Sequence, residues 1–131
     1  MSKLTLQVVA AASRVLSREV DSVRLPGISG EFGILPGHAP MICVLDIGVL
    51  RYTVNGKMTK VALGGGFLEV KDNLVTVLVE TAESREDIDV TRARRAAEHA
   101  RGSLKGGYSS REAAEAEAAL RRALARLQAA Q

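Results

Sequence analysis

Along the first eighty residues, apolar and polar side chains alternate in short stretches that predict β-strands. Residues 4–9 alternate with a period of two, the pattern of a strand that buries one face. The pair Asn55-Gly56 separates two apolar runs and favours a two-residue hairpin turn, because both central positions of that turn need a positive φ. Residues 71–73 separate two further runs in the same way. This succession of strands and turns predicts an antiparallel β-sandwich that ends near Glu80.

The pattern changes to that of a helix at Asp89. From there to Lys105 the chain is rich in Ala and Arg, which are strong helix formers. Asp87 or Asp89 is suited to cap the start of the helix, where a carboxylate also complements the helix dipole. The pair Gly106-Gly107 is predicted to end it.

A second helix is predicted to follow. Ser109 and Glu112 form an S-x-x-E capping box. A narrow apolar stripe at i, i+4 and i+7 comes next, formed by Leu120, Leu124 and Leu127. Burying a Leu contributes about 1.5–3 kcal/mol, whereas ordering one residue costs about 1–2 kcal/mol of backbone entropy. Because the chain beyond Asp89 has only six large apolar side chains, we expect helices that form readily but dock weakly.

Charge divides the chain at the same point. The first 89 residues carry nine Lys/Arg and eleven Asp/Glu, and the remainder carries nine and four. The two parts therefore have net charges of −2 and +5 within a total of +3. Aromatic residues are only 3%, so the core must be aliphatic. A single cysteine excludes an intramolecular disulfide. With no signal sequence and no run of about 18 apolar residues, the sequence predicts a soluble, intracellular protein.

Motifs that carry chemistry in other proteins have structural interpretations here. Gly64–Gly66 lacks the Lys-Ser/Thr and the helix of a phosphate loop, and predicts a bulge or a tight turn. The glycine-spaced segment 27–33 predicts a loop. Cys43 has apolar neighbours and is predicted to be a core residue, while His99 is predicted to be solvated. No nucleophile, base and orienting group stand together, so the sequence argues against a self-contained enzyme.

One group of charged and small apolar residues surrounds the junction between the β part and the helical part. Guanidinium groups bind phosphates bidentately, carboxylates accept hydrogen bonds from an adenine amino group or ribose hydroxyls, and small apolar residues form a wall. If the second helix folds back antiparallel, its paired arginines lie beside the junction. Ion pairing between the helices is the alternative, and physical reasoning alone favours it. The residues concerned are Glu83, Ile88, Asp89, Arg92, Ala93, Arg122 and Arg126.

Three motifs follow one another along the chain. Residues 33–40 read G-I-L-P-G-H-A-P and match the signature G-x-L-P-G-H-x-P. Residues 65–70 match G-G-F-x-E-V, and residues 88–93 match I/L-D-x-x-R-A. In these motifs and their order, the chain resembles the epsilon subunits of bacterial F-type ATP synthases over essentially its whole length.

The resemblance implies an α+β fold. A ten-stranded antiparallel β-sandwich over residues 1–85 would precede a two-helix antiparallel hairpin over residues 86–131. It also implies a non-catalytic rotor subunit of the central stalk. The sandwich would bind the gamma subunit and the c-ring, with Glu31 and His38 at the rotor interface, and would couple proton-driven rotation to the catalytic head.

The resemblance further implies that the helices switch between a compact hairpin and an extended form. The extended form would enter the alpha/beta head and inhibit ATP hydrolysis, with Arg94, Arg95, Arg121 and Arg122 facing acidic surfaces of the beta subunits. ATP, bound by the seven junction residues as a regulatory ligand without a metal and without being hydrolysed, would favour the compact form. The expected location is peripheral, on the cytoplasmic side of the inner (plasma) membrane, held there only through the complex.

Two alternatives remain open at this point. One is the same subunit without meaningful ATP binding, inhibiting only through its basic helices. The other is a small β-sandwich protein whose basic arm binds RNA or membrane phosphates. The lack of an aromatic platform beside the arginines argues against a nucleic-acid partner.

Overall fold

A computed structural model describes residues 3–11, 16–106 and 110–131 of the 131-residue chain. Eight strands and two α-helices lie within these residues, with a 3₁₀ turn at Arg85–Asp87 before the first helix. The strands are β1 (Leu4–Ala10), β2 (Leu16–Val20), β3 (Ser22–Gly27), β4 (Gly30–Ile34), β5 (Met41–Val54), β6 (Lys57–Lys71), β7 (Leu74–Val79) and β8 (Ala82–Ser84); the helices are α1 (Val90–Leu104) and α2 (Ser110–Ala129).

The strands form one sheet that closes around a single apolar core. Their order is β2-β1-β7-β6-β5-β3-β4, with β8 paired to β6. The edge strand β2 also contacts β5, which is four positions away in this strand order. In that contact the guanidinium carbon of Arg18 lies 5.9 Å from the centroid of the Tyr52 ring. The fully buried side chains are aliphatic and include Leu4, Leu25 and Leu50, as the low aromatic content predicts.

The strand count and the pairing differ from the ten antiparallel strands implied by the resemblance. The described residues contain eight strands, and β1 pairs with β7 in parallel, so the sheet is mixed. Much of the difference comes from β5 and β6. They are 14 and 15 residues long and pair with each other from Met41–Val70 to Val54–Lys57, with one position, Asp46 and Gly65, unpaired between them, whereas most strands have about five or six residues.

Half-way along β5 and along β6, the side of the strand that faces the main core becomes the side that faces outward. On β5, Cys43 and Leu45 point into the main core, but Ile47 and Val49, on the same side of the strand, belong to a second apolar cluster outside it. The opposite side of β5 is exposed near Val44 and then enters the main core farther along. Each strand therefore passes from one layer of the sandwich to the other, since successive side chains alternate strictly between faces.

The glycine triplet lies at this crossing point on β6. The prediction of a bulge or a tight turn there was wrong, because β6 continues through residues 64–66 and its register with β5 is the same on both sides of them. A side chain at Gly66 would meet the backbone carbonyl of Leu78, and one at Gly64 would meet the hydroxyl of Thr81. The glycines therefore allow the neighbouring chain at the end of β7 to approach closely while β6 changes layer.

Both predicted hairpins are confirmed. Asn55 and Gly56 have φ of 51° and 80° and join β5 to β6. The turn between β6 and β7 also has positive φ, 50° at Asp72 and 61° at Asn73. The Asn55 amide donates to Asp21 at 2.7 Å, and this bond, with the Lys3 ammonium, holds the pKa of the Asp21 carboxyl below its usual 3.8.

Three other predictions needed correction. Segment 27–33, predicted as a loop, forms the turn and second strand of the β3–β4 hairpin, because Gly27 pairs with Gly30 across it. The sandwich does not end near Glu80, since β8 pairs with β6 beyond that residue. The predicted leucine stripe is half-buried at best, and Leu124 is 40% exposed; α2 instead buries alanines, whose small side chains allow close approach.

The predicted first helix is confirmed, with Asp89 as its N-cap and Val90 as its first residue. It packs against α2. Its buried residues are Ala93, Ala97 and Ala100, spaced at i, i+4 and i+7 on one face. The predicted Gly107 break and the Ser109 cap lie outside the described residues.

A pair of glycine substitutions tests these packing assignments. Gly66→Ala should destabilise the protein by about 1–3 kcal/mol, as overpacking in a tight site does. Gly102→Ala should stabilise α1 by up to about 1 kcal/mol, because Gly102 is helical, in the last turn of α1, and a Cβ there meets nothing within 4 Å. Urea unfolding followed by circular dichroism measures both. If Gly66→Ala changed the free energy of unfolding in the same direction and by the same amount as Gly102→Ala, the role assigned to Gly64–Gly66 would be contradicted.

Candidate functional site

The junction between sheet and helices is organised by two aspartates. Asp87 accepts hydrogen bonds from the Ser84 amide at 3.3 Å and from the Ser84 hydroxyl at 2.9 Å. Asp89 accepts one from the Arg92 amide at 3.0 Å, which makes it the N-cap of α1. Each carboxylate satisfies backbone donors that a helix start leaves unpaired. These local bonds fix the direction in which α1 leaves the sheet.

The second helix docks on the outer face of β5 and β6 through small side chains. Ala125 and Ala129 of α2 are buried against Val49 of β5 and Ala62 of β6. Ile88, from the junction, completes this cluster and is 8% exposed. The alanines bring the helix close to the sheet while burying little apolar area.

Two ion pairs flank this apolar contact. The Nε of Arg126 lies 2.7 Å from Oε1 of Glu83 on β8, and Nη2 of Arg121 lies 2.6 Å from Oδ2 of Asp46 on β5. Hydrogen bonding from the Arg121 guanidinium holds the pKa of the Asp46 carboxyl below its usual 3.8, with help from the Ile47 amide. The carboxylate therefore stays ionised at neutral pH.

A cleft of about 290 Å³ opens between the junction and the two helices. This volume is close to the lower end of the range for small-molecule sites, about 300–1,000 Å³. Three carboxylates, two guanidinium groups and two alanine methyls surround it, so both phosphate-binding and hydroxyl-binding groups are present. The described residues contain no group of three or more His, Cys, Asp or Glu arranged to hold a metal ion. The lining residues are Glu83, Asp87, Asp89, Arg92, Ala93, Ala96 and Arg126.

Five of the seven sequence-predicted residues thus line one cleft. Ile88 instead belongs to the apolar cluster under α2. Arg122 lines a smaller depression that shares Glu83 and Arg126 with the cleft and is bounded by residues 62–64. The ion pair of Arg126 joins a helix to the sheet, so it differs from the interhelical pairing considered as the alternative.

Sequence reasoning missed three residues of this region. Asp87 was considered only as a helix cap, although its spacing from Ser84 is that of a capping box and could have placed it at the junction. Ala96 lies one turn of helix beyond Arg92 and follows from helical periodicity alone. Asp46 has no local signal, because its partner Arg121 lies far along the chain.

The predicted rotor-interface residues Glu31 and His38 do not line the cleft. Glu31 accepts from two arginines of neighbouring strands, Arg24 at 3.0 Å and Arg51 at 2.8 Å. In the loop between β4 and β5, Nδ1 of His38 lies 2.7 Å from the carbonyl oxygen of Ala39. Both side chains therefore make bonds within this chain.

The loop that carries His38 is tied to the β6–β7 turn. The Gly37 amide donates to Oδ1 of Asn73 at 2.7 Å, and Gly37 itself has a φ of 85°. One hydrogen bond thus joins two exposed segments into a single end of the sandwich.

Comparisons with known proteins agree with this architecture. The family model described as the ATP synthase delta/epsilon chain, β-sandwich domain, matches residues 3–85, and the model of the long α-helix domain of the same chain matches residues 86–131. The chain belongs to this family. It is therefore a structural and regulatory subunit of ATP synthase and not a catalytic one, as the sequence analysis expected.

Individual relatives cover almost the whole chain. The ATP synthase epsilon chain of Desulfitobacterium hafniense (strain Y51) is 52% identical over 128 residues, covering 96% of this chain and 95% of the relative. That of Carboxydothermus hydrogenoformans is 58% identical over 102 residues, covering 78% of this chain and 76% of the relative. The family predicted from three motifs is thereby confirmed.

Solved structures give the same fold. A chain of the Euglena gracilis mitochondrial ATP synthase OSCP/F1/c-ring structure matches with a TM-score of 0.82 at 25% identity, covering 98% of this chain and 81% of that one. A chain of the Tetrahymena thermophila central stalk and c-ring structure matches with a TM-score of 0.64 at 13% identity, covering 99% and 98%, and supports the fold alone. Within the described residues, neither helix is long and apolar enough to cross a membrane.

The loop anchor can be tested without disturbing the turn. Asn73→Gly keeps a residue that accepts positive φ but removes the acceptor for Gly37, so the amides of Gly37 and His38 should exchange with solvent about tenfold faster. Asn55→Gly, at the other hairpin, is the matched control, because the Asn55 interaction uses its backbone amide. Hydrogen exchange by NMR measures both variants. Unchanged exchange in Asn73→Gly would show that the anchor does not order the loop.

Proposed function

We propose that this chain is a rotor subunit of the ATP synthase central stalk. In this proposal the sandwich binds the gamma subunit and the c-ring, so that proton-driven rotation of the ring reaches the catalytic head. Family membership and the similarity to a chain of the Euglena gracilis OSCP/F1/c-ring structure support this role. The subunit would be peripheral, on the cytoplasmic side of the inner membrane, and attached only through the complex.

The candidate surface for the gamma subunit is an outer-face patch formed by Ile42, Val44, Phe67 and Leu78. Val44, Phe67 and Leu78 are directly opposite one another on β5, β6 and β7, so they share one face. The four side chains are 46–77% exposed, although neighbouring Leu68 and Val77 are buried. A contiguous exposed apolar patch on a soluble domain is typical of a protein interface.

The candidate surface for the c-ring is the end of the sandwich formed by the His38 loop and the β6–β7 turn. It adjoins the outer-face patch, since Ile42 follows the loop directly. The loop is anchored before any partner binds, which lowers the entropy cost of association. His38 and Glu31 are proposed as contacts with polar groups of the ring.

A serine substitution tests the gamma interface. Phe67→Ser should weaken binding to purified gamma subunit by about 2 kcal/mol or more, as truncation of an exposed aromatic anchor typically does. Met58→Ser is the control, since Met58 lies on the same strand and is 52% exposed but lies outside the patch. Biolayer interferometry measures both affinities. Loss of binding with Met58→Ser but not with Phe67→Ser would contradict the assignment of the patch.

We further propose that the cleft binds ATP as a regulatory ligand. The observation that carries this proposal is that the cleft draws its lining from β8, the junction, α1 and α2 together, so it is complete only while the helices are folded back. A ligand bound there stabilises the compact form by RT ln(1 + [L]/Kd), about 2.7 kcal/mol at a hundredfold excess over Kd. Arg92 and Arg126, with Arg122 nearby, would face the phosphates, and the carboxylates would accept from the base or the ribose.

The extended form of the helices would inhibit ATP hydrolysis. The outward face of α1 carries exposed Arg94, Arg95 and Arg101, which suit an acidic surface of the catalytic head. Release of α2 would add Arg121 and Arg122 to this basic surface. ATP would therefore reduce inhibition by retaining the helices on the sandwich.

A second candidate is the same subunit without meaningful ATP binding. The Glu83–Arg126 pair favours it, because this contact already holds α2 to the sheet without a ligand. In that case the seven junction residues would serve docking alone, and inhibition would depend only on the basic helices.

Calorimetry with ATP distinguishes the two candidates. Arg126→Ala should weaken ATP binding at least tenfold, because a guanidinium that lines the cleft is lost, and Arg122→Ala should weaken it less because that side chain lies beside the cleft. Arg111→Ala is the matched control on the same helix, where Arg111 is 90% exposed and pairs with Glu115. Absence of heat at millimolar ATP with an intact fold would exclude the regulatory ligand and leave the second candidate.

A further inference from the structure

The apolar contact between α2 and the sheet is too small to explain by itself why the helix lies where it does. Ala125 and Ala129 are the buried residues of α2 in this cluster, and the partly buried Ala130 that follows the helix packs against it. The first helix packs on α2, so it adds little direct contact with the strands. Each alanine buries a single methyl group. Other interactions must therefore contribute substantially to the position of the helix.

The Asp46–Arg121 ion pair is suited to this task. Arg121, Ala125 and Ala129 are spaced by four residues, so they lie along one face of α2, the face that meets β5 and β6. The pair is short at 2.6 Å, and its side chains are 42% and 32% exposed. Asp46 is fixed in turn, because its Oδ1 accepts from the Ile47 amide at 2.8 Å.

This pair differs from the other helix–sheet ion pair in one respect. Glu83 and Arg126 both line the cleft, so a ligand there must compete with their mutual contact. Asp46 and Arg121 lie outside that lining, on the opposite flank of the alanine contact. A ligand in the cleft therefore does not compete directly with their contact.

We propose that Asp46 and Arg121 form a latch that holds α2 on the sheet independently of any ligand in the cleft. Because partly exposed ion pairs are screened by salt, with a Debye length of about 10 Å at 0.1 M and 3 Å at 1 M, ionic strength also sets the balance between docked and released helices. Asp46 competes with an acidic partner surface for Arg121. This regulatory consequence rests on the proposed function, whereas the latch itself rests on the contacts alone.

Thiol labelling measures release of α2 in the full-length protein. The background variant carries Cys43→Ala and Ala129→Cys, so that a single thiol lies in the buried contact and reacts only when the helix leaves the sheet. In this background, Asp46→Asn and Arg121→Gln should each raise the labelling rate about three- to tenfold. Glu19→Gln makes the same charge change at an exposed position on β2 and should leave the rate unchanged.

Salt and charge exchange separate a latch from a general loss of stability. Raising NaCl from 0.05 M to 1 M should accelerate labelling of the background protein, and the acceleration should be smaller once Asp46→Asn is present, because only the Glu83–Arg126 pair then remains to be screened. Exchanging the charges, Asp46→Arg with Arg121→Asp, should restore slow, salt-sensitive labelling. Labelling rates for Asp46→Asn and Arg121→Gln equal to that of the background protein would overturn the proposal.

The same assay keeps the latch distinct from the nucleotide site. If ATP slows labelling in the background protein and Asp46→Asn has no effect, the latch is wrong and the nucleotide proposal stands. If Asp46→Asn accelerates labelling and ATP has no effect, the latch stands without a nucleotide site. If Asp46→Asn accelerates labelling, and ATP slows labelling both in the background protein and in the Asp46→Asn variant, then the ion pair and the nucleotide hold α2 on the sheet independently.

Discussion

The contact between α2 and the outer face of β5 and β6 is the interaction on which the functional architecture depends. The cleft exists only where β8, α1 and α2 meet; the junction holds the start of α1 there, and docking of α2 on the sheet completes the cleft. The contact combines two alanines with two ion pairs. Such an interface can be strong enough to hold the helices in place and weak enough to be released by a modest change in free energy, since exposed ion pairs contribute about 0–1 kcal/mol each.

The long β5–β6 hairpin makes this arrangement possible by serving both layers of the sandwich. In one half, its outward side chains are Ile42, Val44 and Phe67, which form the outer-face patch with Leu78. In the other half, its outward side chains are Val49 and Ala62, which receive α2. One hairpin therefore presents a candidate partner surface and the helix-docking surface on different parts of the sandwich. The glycines at the crossing point allow this, because a Cβ at Gly66 would meet the backbone of the next strand.

Local chemistry made part of the site predictable. Asp89 as a cap, the helix that follows it and the two hairpin turns each depend on a few neighbouring residues, so periodicity and residue type were sufficient. The sequence predicted that Arg126 and Glu83 both lie near the junction, but not that they form an ion pair, since the two residues are 43 positions apart. The leucine stripe of α2 likewise does not mark the residues that the helix buries. Hydrophobic periodicity finds large side chains, whereas docking against a nearby sheet selected alanines that allow close approach.

By itself, the sequence determined the family, the division into an aliphatic β part and a basic helical part, and the turns and caps, because these depend on motifs, composition and short-range hydrogen bonds. Tertiary structure decided which face of each long strand points inward, because the crossing between layers reverses that direction without changing the alternation of side chains. It also decided that Arg122 lies beside the cleft and Arg126 within it, and that Asp46 meets Arg121. Those outcomes depend on the distance and rotation of α2 over the sheet, which residues far apart in the chain set together.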